Sequence, residues 1–451
     1  MINNELVELE IVDNGMNFEG IARLDDKVVF VPGAIVGEKV KVSIIKNTTN
    51  YMFAKIEEIL IKSPERKYEE CMSYYSCGGC IAQHMSYKKT LDIKKNIVKN
   101  TLRKQGINEN LVNDIYGMGI PYNYRNKVQY PVRNIKGRNK MGMFAEKSHK
   151  LIEVHNCKIQ DNYINEIAKY MFECINKENI SCYNEEEKTG DIKNIMVRRG
   201  IHTDEMLCIF VVTNEQIARS NKLRKISCML TEKYGNIKGV VANINETKGN
   251  VILGNKNIVI CGEDRITDMI GDYTYYISTN SFFQVNTIMA EVLYIILEGM
   301  LKPDKSETVL ELYSGVGTIG IFLADKVKQL YGVEIVEDAV KMAKENLKLN
   351  NILNAEYIAG DAKDELEKLK NQNIYFDTLI VDPPRKGLDE DGIDILMKLK
   401  PKKIGYVSCN PATLARDLNK LSEIYNIEDI NLVDMFPWTS HVECVAMMCR
   451  K

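Results

Sequence analysis

The residues best suited to covalent chemistry lie toward the carboxyl end of the chain. Lys403 to Ser408 reads as a strand that delivers Cys409, and Pro411 breaks it before a helix that starts near Thr413. A thiol just ahead of a helix N-terminus can have its pKa lowered, and thiolate is the form that attacks carbon. An inert, buried thiol is the plain alternative. Farther on, His441 and Glu443 share one strand face, and a carboxylate among apolar neighbours can keep a raised pKa and accept a proton. A solvated strand-end Glu would do neither, and no second ligand pair lies close enough to make His441 and Glu443 half of a metal site. A third acid, Asp382, ends the strand Phe376 to Val381 and precedes Pro383-Pro384, a rigid wall.

A second constellation is made of cysteines. Cys71, Cys77 and Cys80 are closely spaced and Cys157 follows far downstream in Asn156-Cys157. Four thiolates can close around zinc or around a [4Fe-4S] cluster, and three-plus-one spacing suits the cluster better than a ribbon of paired cysteines.

The apolar strand Thr308 to Leu312 runs into Tyr313-Ser314-Gly315-Val316-Gly317-Thr318-Ile319-Gly320 and a helix, so glycines let the backbone approach a cofactor. The next strand ends in Glu334, where an acid can hold ribose hydroxyls. A third ends near Asp361, whose carboxylate suits an adenine amino group. A dinucleotide and S-adenosylmethionine both present an adenosine to such a sheet. The acid-Pro-Pro element at Asp382 resembles that of nucleic-acid methyltransferases, which points to S-adenosylmethionine.

The elements that must hold these groups divide the 451 residues into three expected units. Residues 1–62 read as short strands of a small β-barrel, with turns at Asn14-Gly15 and Pro32-Gly33. Residues 63–265 form an α+β central unit, and 266–451 alternate strand and helix as a doubly wound α/β sheet. In the central unit, apolar residues at helical spacing from Ser86 to Gly106 leave a basic face that includes Lys88, Lys89, Lys94, Lys95 and Lys99. Arg125 to Lys150 adds further cations interleaved with Tyr122, Tyr124, Tyr130 and Phe144. Aromatics among cations suit unpaired, stacked bases, and a charged surface hairpin is the bland alternative. The formal net charge is −2, so contact with nucleic acid must rest on such local patches. With 12 cysteines and no apolar leader or long apolar run, the expectation is a cytoplasmic protein without a membrane role.

Asp382-Pro383-Pro384-Arg385-Lys386-Gly387, Tyr406-Val407-Ser408-Cys409-Asn410-Pro411-Ala412-Thr413 and Asp434 to Glu443 resemble the signatures of the RNA uracil-C5 methyltransferases, over nearly the whole chain. Trp438 departs from the pattern, standing where that family usually has a polar residue. The resemblance implies a TRAM barrel, a central domain and a Rossmann-like class I methyltransferase domain. It implies Cys409 as the nucleophile on uracil C6 and Glu443 as the base for the C5 proton, with Gln284, Tyr313, Glu334 and Asp382 on the cofactor. Gln284 can equally be an amide that caps the helix beginning near Thr287. The rRNA-type members carry an iron-sulfur centre on the cysteine pattern, which implies a [4Fe-4S] cluster and 5-methyluridine in 23S rRNA, by a monomer. The rivals are tRNA methylation, an RNA-binding iron-sulfur oxidoreductase using NAD or FAD, and a non-catalytic RNA-binding module.

Overall fold

The computed structural model describes residues 6–154 and 156–451. The first strands roll a six-stranded sheet around Leu9, Ala22, Val29, Val40, Val42 and Ala54, as alternating apolar residues require. Besides the expected strands it contains Gly20–Leu24, whose short run carried little periodicity. At its exit Glu38, wholly buried, accepts from Arg66 Nε at 2.6 Å and from the Ile35 and Ser63 amides, which ties the barrel to the next segment.

Helix Tyr87–Lys104 starts where expected, with the Ser86 side chain accepting from the Lys89 amide. Strand Val112–Tyr116 then leaves the central unit and pairs in parallel with Tyr425–Val433, at the edge of the C-terminal sheet. The central unit itself is a seven-stranded sheet. Its strand Met206–Val212 is buried on both sides: Met206, Cys208, Phe210 and Val212 meet helices Asn162–Lys177 and Asn221–Lys233, while Leu207, Ile209 and Val211 meet the core around Leu293, Leu297 and Leu323. The period of two thus welds the central sheet to the C-terminal unit.

The C-terminal sheet has eight strands in the order Ala355–Ala359, Gln329–Glu334, Thr308–Leu312, Thr378–Val381, Lys403–Ser408, Glu443–Arg450, Tyr425–Val433 and Val112–Tyr116. The first five run parallel, and the order reverses beside Thr308–Leu312. Ligands in such sheets bind outside the carboxyl ends at this switch.

Two expectations for the basic surface change. Lys94 is not on a solvated face: its side chain is 0% exposed and paired with Asp434. Tyr130 is buried because alternate residues of strand Lys127–Ile135 point into the core, Tyr124 is buried against Ile159 and Trp438, and Arg133, on the strand's other face, is largely buried and bonded to Glu185. Among the described residues no helix is long and apolar enough to cross a membrane.

Candidate active site

Three strand ends bring the reactive groups together. Val381 pairs with Tyr406 in parallel, and Ser408 pairs with Cys444 in antiparallel register. One step along, Cys409 stands across from Glu443, and Asp382 emerges beside both. Glu443 is only 6% exposed. Burial, then the neighbouring Asp382 charge, push its carboxyl up to about 8, opposed by Arg385 and Lys94. Burial likewise raises Asp382 to about 7.

The expectation of a lowered Cys409 pKa is corrected. Asn410 caps helix Pro411–Leu421 by accepting from the Ala412 amide, so this donor is turned to the cap. Burial, Glu443 and Asp382 push the thiol up to about 11. A proton acceptor must therefore act before the sulfur can attack. His441 is neutral at neutral pH, since burial and Arg385 lower it to about 4, and its Nε2 stands 3.0 Å from Arg385 Nη2.

Sequence reasoning missed the groups that hold these ends. Asp417, fully buried, accepts from the Tyr406 hydroxyl at 2.7 Å and the Leu388 amide at 2.9 Å. Arg416 donates to the Lys386 and Leu388 carbonyls, so the Pro-Pro loop hangs on the helix after Cys409. Gly387 is left-handed at φ 73°, and a Cβ there would strike Arg416 and Asp417. Only the spacing of an Asp in an apolar helix hinted at this. Beneath the cofactor loop, Glu311 accepts from the Tyr357 hydroxyl and is raised to about 8 by burial.

On the cofactor side, Gly315 and Gly317 adopt φ of 54° and 81°. A Cβ on Gly317 would lie 2.6 Å from the Tyr357 ring. Glu334 accepts from the Gly315 amide at 3.0 Å and borders, with Gly315, a cavity of about 660 Å³. Thr279 in its wall and Ser314 in the loop bury hydroxyls that find no partner among the described residues, which fits a bound ligand rich in hydrogen-bonding edges. Tyr313 is left-handed at φ 62° and half-buried. Asp361 is exposed and spends one oxygen capping helix Ala362–Asn371. Gln284 does not cap the helix Thr287–Leu301: Asn286 does, accepting from the Met289 amide. The Gln284 carbonyl instead accepts from Asn126.

The four expected metal cysteines share one neighbourhood and are partly buried. Burial, then Cys157, Cys77 and Cys71, raise Cys80 to about 12. Among the described residues, however, no group of three or more His, Cys, Asp or Glu side chains is arranged to hold a metal ion. Burial holds the Cys77, Cys80 and Cys157 thiols above their ordinary pKa, and a metal would bind them as thiolates. Cys80 and Cys157 pack instead against Trp438, Tyr124 and Ile159. Trp438 is buried in this cluster. It is left-handed at φ 68° and donates from Nε1 to the Pro121 carbonyl at 2.7 Å.

Comparison with known proteins agrees with this geometry. The model of the tRNA (uracil-5-)-methyltransferase family matches residues 86–451, and that of the TRAM domain matches residues 3–56. The chain is 40% identical to an uncharacterized RNA methyltransferase of Clostridium tetani over 448 residues, covering 99% of this chain and 96% of that one. It is 38% identical to an uncharacterized RNA methyltransferase of Staphylococcus epidermidis, covering 99% and 98%. The crystal structure of Pyrococcus abyssi tRNA (uracil-54, C5)-methyltransferase in complex with S-adenosyl-L-homocysteine superposes with a TM-score of 0.77 at 27% identity, covering 98% of this chain and all of that one. The chain is an S-adenosylmethionine-dependent RNA methyltransferase that belongs to the tRNA (uracil-5-)-methyltransferase family and carries a TRAM domain at its N-terminus.

Proposed function

We propose that the protein methylates C5 of a uridine in 23S rRNA, with Cys409 as nucleophile and Glu443 as general base. The observation that carries this reading is a thiol placed across from a buried carboxyl at the strand ends that face the cofactor loop. C5 of uracil is a poor nucleophile and must be activated. The Cys409 thiol gives up its proton to water and its sulfur bonds to C6, and the C5–C6 π electrons shift to make C5 an enolate carbon. When bound, S-adenosylmethionine would supply an electrophilic methyl group and leave as S-adenosyl-L-homocysteine. After C5 has taken that methyl group, Glu443 removes the C5 hydrogen as a proton, the C5–C6 double bond re-forms and the Cys409 sulfur leaves. A paired uridine must leave its stack for a thiol to meet C6.

Gln284, Tyr313, Gly315, Glu334, Asp361 and Asp382 are assigned to the cofactor. Residues 1–62 and 63–265 are assigned to gripping RNA, and 266–451 to methyl transfer. Cys71, Cys77, Cys80 and Cys157 are the residues that would hold a [4Fe-4S] cluster, whose bound iron would cross-link the Cys71 to Cys80 segment to Cys157. The spacing of these four cysteines supports an rRNA substrate. A tRNA substrate is the second reading, favoured by the likeness to the Pyrococcus abyssi enzyme.

The test is incubation of anaerobically purified protein with tritiated S-adenosylmethionine and unmodified 23S rRNA or bulk tRNA, followed by nucleoside analysis. Label in 5-methyluridine from rRNA, lost in Cys409→Ala, is the expected result. Label from tRNA alone corrects the substrate, and none from either RNA refutes the reading.

A further inference from the structure

The loop that delivers Glu443 is held almost entirely from outside its own strand pair. The Asp434 amide donates to the Tyr116 carbonyl at 2.8 Å. The Met435 carbonyl accepts from Asn286 at 3.0 Å, and the Pro437 carbonyl from the Tyr124 hydroxyl at 3.1 Å. The Trp438 carbonyl accepts from the Ile81 amide at 2.9 Å. At the centre is Lys94 of helix Tyr87–Lys104. Its Nζ donates to Asp434 Oδ1 at 2.5 Å and to the Phe436 carbonyl at 3.1 Å, while the Tyr87 hydroxyl donates to Asp434 Oδ2 at 2.7 Å. Lys94 and Asp434 are both fully buried. A chain places an ion pair in its core at considerable desolvation cost, so the pair calls for a reason beyond stability.

We propose that Lys94 is a positioning residue for the proton-abstraction step: through Asp434 and the Phe436 carbonyl it fixes the loop that ends in Glu443. The inference rests on the assignment of Glu443 as base. The charged and titratable groups around Glu443 are Asp382 and Arg385 from the Pro-Pro loop, Cys409 from the neighbouring strand end, Tyr294 from helix Thr287–Leu301, His441 and Cys444 from its own segment, and Lys94. Asp382 raises Glu443, and Lys94 and Arg385 oppose it. Of these two cations Arg385 acts the more strongly and from an exposed side chain, while Lys94 acts from within the core. Removing the Lys94 charge leaves Glu443 protonated at higher pH, and the base step slows.

The experiment uses full-length protein, S-adenosylmethionine and RNA carrying tritium at uridine C5, so that proton abstraction is read as tritium released to water. It also follows methyl transfer and the denaturant-stable protein–RNA adduct. Lys94→Met is expected to keep methyl transfer within a few-fold while tritium release falls about tenfold at neutral pH and adduct accumulates. The rising limb of tritium release moves to higher pH, about tenfold in rate for each unit. Because Lys94→Met strands the Asp434 charge, the variant Lys94→Met with Asp434→Asn is measured beside it and is expected to show the same limb. Tritium release at the wild-type rate and pH in either folded variant overturns the proposal, as does equal loss of adduct formation and release. Glu443→Gln separates the two ideas: if it traps no adduct, the base assignment fails, whereas a trapped adduct there with a normal Lys94→Met refutes only the role of Lys94.

Discussion

Replacement of Asp417 by Ala tests whether the reactive loop is held by the helix that follows Cys409. In the wild type one buried oxygen of Asp417 receives both the Tyr406 hydroxyl and the Leu388 amide. Both donors belong to buried residues, so neither finds water when the carboxylate is gone. A buried polar group left unmade costs about 1–3 kcal/mol, which for two donors gives about 2–6 kcal/mol. The lost pairing to Arg416 adds little, since that side chain is 42% exposed and its charge is solvated. Asp417→Asn can keep its one acceptor oxygen on both donors and should recover most of the loss. The assay is urea unfolding followed by circular dichroism, with methyl transfer measured at a temperature where every variant is folded. With the Asp417 anchor gone and only the Arg416 bonds to the Lys386 and Leu388 carbonyls left, the segment from Asp382 to Leu388 loosens against Cys409, so turnover should fall by more than the folded fraction does. A change in stability below about 0.5 kcal/mol, or turnover that follows the folded fraction alone, would refute the reasoning.

The remaining predictions concern the site itself. Glu443 must lose its proton to act as base and does so after methyl transfer, so kcat for tritium release should climb as pH rises through about 8; a flat profile from neutral pH upward refutes its raised pKa. Gly317→Ala puts a Cβ 2.6 Å from the Tyr357 ring at φ 81°, so calorimetry should show S-adenosylmethionine binding weakened at least tenfold, at about 1.4 kcal/mol per factor of ten. Trp438 is the sole tryptophan and packs against Cys80 and Cys157, so anaerobic loading with iron and sulfide should quench its fluorescence in step with iron uptake, and Cys80→Ser should abolish both. Quenching that persists in Cys80→Ser would place the iron elsewhere.

Much of this protein is written locally. The short runs of Thr308–Leu312 and Lys403–Ser408, the glycines after Leu312 and the Ser86 cap each depend on neighbours a few residues away, and the structure has them where the sequence puts them. The pairing of Cys409 with Glu443 was legible only as two strand ends of the right residue types. Their juxtaposition needed the antiparallel register of Ser408 with Cys444. What local pattern could not carry was the sign of an environment. The helix-start position of Cys409 argued for a lowered pKa, yet burial beside two carboxyls raises it, because desolvation and like charge act through space and not along the chain.

Lys94 shows the same division. A lysine at helical spacing among other lysines reads as solvated face, and nothing near it in sequence says otherwise. Only the fold brings Asp434, hundreds of residues later, to within 2.5 Å of it. Residue type and spacing determined which groups were available and which secondary structures would hold them. The tertiary structure decided which are buried, which are paired, and therefore which protonation states they keep, because those depend on water excluded and charges met at distances the sequence does not encode.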